Sequence, residues 1–210
     1  MKIGNISTSK RELIDITKAW LIISLAFTFV FSGASVLSGN FSFAALVSSQ
    51  FWILFVVALF TAGIGFLLHE LAHKVVAQRY GCVAEFRSFD EMLYLALGLA
   101  VVIGFLFAAP GAVMISGMIT RKENGIISMA GPMTNYVLGV LFFGLAFALP
   151  PLAFIFLIGF SVNMWLGLFN MIPFGNFDGV KIFYWDKIVW GAMVAFGIFA
   201  VFFLRNLVGI

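Results

Sequence analysis

His69-Glu70-Leu71-Ala72-His73 is the stretch of this chain richest in reactive groups, and it holds the only two histidines. Positions four apart share a helix face, so two imidazoles at that spacing can grip one metal ion. Glu70 follows the first imidazole directly, able to reach a water on that ion without binding the ion. Two binding histidines and a proton-moving glutamate make up the H-E-x-x-H arrangement of zinc hydrolases. The plainer alternative is a helix that matches a five-residue pattern by chance. Its surroundings argue against that, because the pattern closes a long apolar run. An ionisable side chain at mid-membrane costs roughly 2.5–3.5 kcal/mol, so three polar side chains there need a compensating role. One Zn2+ ion is expected.

A catalytic zinc takes three protein ligands and leaves a position for water, so Asp, Glu or Cys must complete the set. Glu12 and Asp15 belong to a polar N-terminal segment, and Glu85, Asp90, Glu91, Glu123 and Asp186 have basic neighbours that suit a solvated charge. Cys82, well past His73 and beyond Gly81, fits a small buried thiol better. Asp178 stands apart. It closes the apolar stretch Asn170-Met171-Ile172-Pro173-Phe174-Gly175-Asn176-Phe177-Asp178-Gly179, which has no cation before Lys181. Proline and glycine break the helix there, and broken backbone at membrane depth is tolerated only where it lines protein or a wet cavity. Alone, Asp178-Gly179 reads as a turn. A metal site short of one ligand reverses that preference.

The elements that must bring these residues together are membrane spans. The chain is 63% hydrophobic and 10% charged, with mean hydropathy +1.12. A soluble fold of 210 residues could not hide that much apolar surface. Apolar runs at about 19–37, 51–73, 128–148, 152–171 and 188–209 approach the roughly 20 residues a spanning helix needs. The run 93–117 is interrupted by Pro110-Gly111. The expected fold is an all-α polytopic membrane protein with about five clear transmembrane helices and a re-entrant or β-hairpin segment near 93–117. Residues 1–210 read as one membrane-embedded domain, with 1–18 a polar cytoplasmic segment ahead of an uncleaved signal anchor. The net charge of +3 is small, and no run of Lys and Arg suggests nucleic acid.

The basic residues set the orientation. With the N-terminus in the cytoplasm and 93–117 returning to its starting side, Arg205 is the only one of twelve Lys and Arg outside. A full crossing by 93–117 would instead put four outside: Arg121, Lys122, Lys181 and Lys187. The re-entrant reading also places His73 and Asp178 at the cytoplasmic ends of two spans that run in the same direction, as ligands of one ion must be.

Taken together, His69-Glu70-Leu71-Ala72-His73, Gly131-Pro132-Met133-Thr134-Asn135 and Asn170-x-x-Pro173-x-x-x-x-Asp178-Gly179 resemble the site-2 protease family of intramembrane zinc metalloproteases. The resemblance covers about residues 60–180. It departs at Phe177, where the family usually has Leu, and at Ala72, where many members have Gly; neither change removes a functional atom. The resemblance implies His69, His73 and Asp178 as zinc ligands and Glu70 as general base. It places Asn170 near the metal, holding substrate or the developing oxyanion, in a minimal core without PDZ or CBS-like domains. The implied activity is hydrolysis of peptide bonds in transmembrane protein substrates within the cell membrane, with the lipid bilayer as the other partner.

A transmembrane substrate must unwind before attack, and its freed peptide groups need new partners in lipid. A strand edge would supply them. Gly111, Ala112 and Val113, in a stretch where Pro110 and Gly111 break the helix and β-branched residues follow, are the candidates. A plain re-entrant turn is the equal alternative. Asn135 reads as a hydrogen bonder between helices or as part of the active-site wall. Outside proteolysis, a zinc-binding transporter or a catalytically silent scaffold is the rival. A transporter would distribute its polar groups across the membrane, whereas these cluster near one side.

Overall fold

A computed structural model describes residues 2–3, 6–106 and 111–204; Pro110 and Arg205 lie outside the described residues. The fold is all-α and polytopic. Among the described residues, five helices are long and apolar enough to cross a membrane: Lys10–Ser32, Ser49–Arg79, Arg121–Ala148, Pro150–Asn170 and Lys187–Leu204. They make the chain a multi-pass membrane protein.

Helix ends lie where capping chemistry puts them rather than where hydropathy changes. Helix α1 (Lys10–Ser32) starts in the polar segment because the Ser9 hydroxyl accepts from the Glu12 N–H, and it ends at Gly33 in a left-handed conformation. A one-turn α2 (Phe43–Leu46) leads to α3 (Ser49–Ala58). A π-helical stretch, Leu59–Gly63, joins α3 to α4 (Ile64–Arg79), so that 49–79 is one long helix. Strand β1 (Lys2–Ile3) pairs antiparallel with β2 (Ile6–Ser7).

The 93–117 region resolves into a short helix and a strand. Strand β3 (Val83–Ser88) precedes α5 (Asp90–Ile103), and β4 (Gly111–Ser116) follows it. The 14 residues of α5 reach about 21 Å, short of the ~30 Å hydrocarbon core. Strands β3 and β4 form a two-stranded sheet. Gly111 lies against Phe86 and Arg87 while Gly117 lies against Cys82, which is the antiparallel sense. The excursion between the strands therefore returns to where it began. The expected hairpin is thus a strand pair separated by a helix, with β3, outside the apolar run, as the partner.

The remaining helices are α6 (Arg121–Ala148), α7 (Ala153–Phe169), α8 (Asp178–Trp185) and α9 (Lys187–Ile198). Helix α6 starts well before 128 because Thr120 and Glu123 form a reciprocal capping box. Pro150–Leu152 opens the way into α7, and Asp186 caps α9 by accepting from the Ile188 and Val189 N–H groups.

The chain divides into two compact units, Met1–Ile64 with Glu85–Met114 and Gly65–Ala84 with Ile115–Ile210. In the first, polar contacts tie α1 to β3 and α5. Glu12, from the polar N-terminal segment, is fully buried; its carboxylate accepts from the Phe86 N–H at 2.8 Å and the Thr8 hydroxyl at 2.7 Å. Lys18 pairs with Asp90, and that hydrogen bond holds the Asp90 carboxyl below the usual carboxylate range. Ala26, Phe29, Ala34, Phe51 and Ala100 form a buried apolar cluster in the same unit.

The second unit packs α6, α7, α8 and α9 around Tyr136, Phe160, Met164, Met171, Ile182 and Met193. In lipid the hydrophobic effect gives little drive between helices, so close approach and buried hydrogen bonds must hold them. Gly139 fits against Met164 and Gly167 against Tyr136, whose hydroxyl donates to the Met193 carbonyl at 3.1 Å.

Candidate metal centre

His69 and His73 lie one turn apart on α4, and both are buried. Their rings meet edge to face, with centroids 4.7 Å apart and planes at 82°. Asp178, the first residue of α8, reaches both. Its Oδ2 lies 3.2 Å from His69 Nε2 and 3.1 Å from His73 Nε2. One ligand atom from each of the three residues falls within 4.8 Å of the others, the only such group of three among the described residues. Metal bonds of about 2.05 Å at tetrahedral angles put donor atoms about 3.3 Å apart. The donor set fits zinc, and His69, His73 and Asp178 can form a zinc-binding site.

Local structure explains why Asp178 arrives there. The chain leaves α7 at Asn170 and turns through Pro173 and Gly175, the latter at φ 68°. The Gly179 N–H then donates to the Asn170 carbonyl at 2.7 Å. A Cβ on Gly179 would sit 2.3 Å from the Met171 carbonyl carbon and oxygen. Only glycine lets the first turn of α8 close onto that backbone, and the closure seats the neighbouring carboxylate.

Both rings are oriented from behind. His69 Nδ1 lies 2.6 Å from Asn135 Oδ1, and His73 Nδ1 lies 2.7 Å from the Ile127 carbonyl. Each acceptor requires an N–H at Nδ1, which leaves the Nε2 lone pair for a metal. Asn135, expected either between helices or at the active-site wall, hydrogen-bonds between helices. Its amide also donates to the Gly65 carbonyl of α4 and to Asn163 Oδ1 of α7, both at 3.1 Å. Gly131, one turn before Asn135, supplies the space. A Cβ there would lie 2.3 Å from His73 Nε2 and 2.5 Å from His69 Nε2.

Glu70 is half-buried beside His69 on α4. The Asn170 side-chain amide donates to the Leu166 carbonyl of its own helix at 3.0 Å. Gly111, Ala112 and Val113 open strand β4, in the unit that does not contain the ligands. Asn163 escaped the sequence reading, as did the role of Gly131. A signal for Asn163 was present: an amide in an apolar span, two turns before Asn170, costs too much to be unpartnered.

Comparison with known proteins decides the family. The chain is 38% identical to MJ0611 of Methanocaldococcus jannaschii, named a putative zinc metalloprotease, over 186 residues, covering 87% of this chain and 88% of that protein. The chain belongs to the site-2 protease family of zinc metalloproteases. Two further relatives carry zinc metalloprotease names. Rip3 of Mycobacterium tuberculosis is 29% identical over 178 residues, 80% of this chain and 40% of that protein. MJ0392 of M. jannaschii is 28% identical over 141 residues, 64% of this chain and 34% of that protein. The chain thus spans most of MJ0611 but less than half of the other two. No family model and no solved structure matches this site-2 protease relative.

Proposed function

We propose that this chain is an intramembrane zinc endopeptidase that cleaves transmembrane protein substrates, with its N-terminus and its metal centre on the cytoplasmic side. The observation that supports this most is the meeting of His69, His73 and Asp178 beside Glu70, from stretches of chain distant in sequence. In this reading His69, His73 and Asp178 hold one Zn2+, which when bound lowers the pKa of water from 15.7 toward about 7 and polarises a carbonyl. Glu70, in the position of the motif's general base, accepts the proton of the attacking water and returns it to the leaving amine. Asn135 and the Ile127 carbonyl keep the two rings turned to the ion. Asn170 contacts substrate or the oxyanion once its amide swings away from Leu166. Gly111, Ala112 and Val113 of β4, an end strand of its two-stranded sheet, pair with the unwound substrate backbone.

The test uses purified protein in vesicles with a reconstituted transmembrane peptide. Wild type should carry one zinc per chain and cleave. Glu70→Gln should keep the zinc and lose at least about 100-fold in cleavage rate, the low end for a positioned acid-base group. Asp178→Ala should lose the zinc. Zinc flux without cleavage would replace this reading with transport, and full zinc content in Asp178→Ala would remove Asp178 from the ligand set.

A further inference from the structure

Asn163 is fully buried in α7 and closes a chain of amides that ends on His69. Two main-chain carbonyls fix the direction of that chain, because a carbonyl can only accept. Asn163 Nδ2 donates to the Gly159 carbonyl at 2.9 Å, so Asn163 Oδ1 must be the end turned toward α6. Asn135 Nδ2 donates both to that oxygen and to the Gly65 carbonyl, so Asn135 Oδ1 must be the end turned toward His69. His69 in turn can meet Asn135 only with an N–H at Nδ1. Reversing either amide would set oxygen against oxygen and N–H against N–H in a buried site. Every buried side-chain nitrogen and oxygen among the described residues has a partner, so no slack remains to absorb such a reversal.

We infer that Asn163 is a positioning residue of the metal centre, acting through Asn135 to hold His69 in the tautomer and orientation that present Nε2 to zinc. This rests on the zinc-site reading above. Without Asn163, one Asn135 N–H loses its acceptor at a depth where water cannot replace it. Asn135 then keeps only the Gly65 carbonyl and can tilt to find a second partner, carrying His69 with it. Gly65 belongs to the same device: a Cβ there would fall 2.3 Å from Asn163 Oδ1, so the glycine leaves room for that side chain against α4.

Asn163→Ala and Asn163→Ser make the decisive pair. The serine hydroxyl can donate to Gly159 and accept from Asn135, whereas alanine can do neither. Zinc affinity is measured by competition with a chelator on the full-length protein in detergent, with the melting temperature of the zinc-free form taken in parallel. Asn163→Ala should weaken zinc about tenfold, the low end of the effect of residues that orient a ligand, and Asn163→Ser should stay within about threefold of wild type. In an Asn135→Ala background the two substitutions should no longer differ. Equal zinc affinity for Asn163→Ala and wild type, whatever the melting temperature, overturns the inference, as does an undiminished Ala–Ser difference without Asn135. Absence of zinc from wild type would instead overturn the metal-site reading itself.

Discussion

At the scale of single residues, the centre depends as much on an absent side chain as on the three that converge. Gly131 faces the space that a metal would share with both Nε2 atoms, and a methyl group there would lie within 2.5 Å of each ring nitrogen. Gly131→Ala should therefore lower zinc affinity by more than about 100-fold, beyond the usual effect of changes behind a ligand. Because the methyl group opposes ring tips rather than backbone, circular dichroism should show the helices intact. Zinc binding at wild-type strength in Gly131→Ala would mean that the ion is held elsewhere. The approach of His69 to His73 was legible in the sequence because residues four apart share a helix face. Gly131 and Asn163 were not, since a glycine or an amide in an apolar span has meaning only once its neighbour across the helix interface is known. Glu12 shows the same limit from the other side: one of its partners is a main-chain N–H of β3, which no residue type announces.

At the scale of elements, hydropathy located the spans and capping set their ends. Thr120 and Glu123 carry α6 seven residues beyond its apolar run, and these added residues include Ile127, whose carbonyl orients His73. Neither a hydropathy window nor the H-E-x-x-H pattern reports that. Helix α8 is the other case. Its eight residues could not hold a fixed place by their own stability, because isolated helices this short do not persist. The contact of Gly179 with the Met171 carbonyl group and its hydrogen bond to Asn170 fix it instead. In Gly179→Ala the first turn of α8 must lift off that backbone, at a cost of about 1–3 kcal/mol. Asp178 would move with it. The expected result is a lowered melting temperature together with loss of bound zinc, while Gly191→Ala, where nothing lies within 4 Å of the added atom, should change neither. Retained zinc in Gly179→Ala would show that Asp178 is seated by some other contact.

At the scale of the whole molecule, the metal site is a statement about which side of the membrane each span ends on. His73 and Asp178 can share an ion only if the chain between α4 and α6 returns to the side from which it set out. The count of basic residues favours that return, and α5, about 21 Å long and flanked by two strands that pair with each other, is consistent with it. Cys82 is the only cysteine and is buried, so a Cys82→Ala background permits single-cysteine mapping. In intact cells, Asn40→Cys in the loop after α1 should react with a membrane-impermeant maleimide, whereas Lys122→Cys at the start of α6 should react only after permeabilisation. Both positions are exposed, so a missing signal cannot be ascribed to burial. If Lys122→Cys reacts from the same side as Asn40→Cys, residues 93–117 cross the membrane. The next spans would then run the opposite way, Asp178 would lie on the side facing away from the two imidazoles, and neither a shared zinc ion nor cleavage at it could stand.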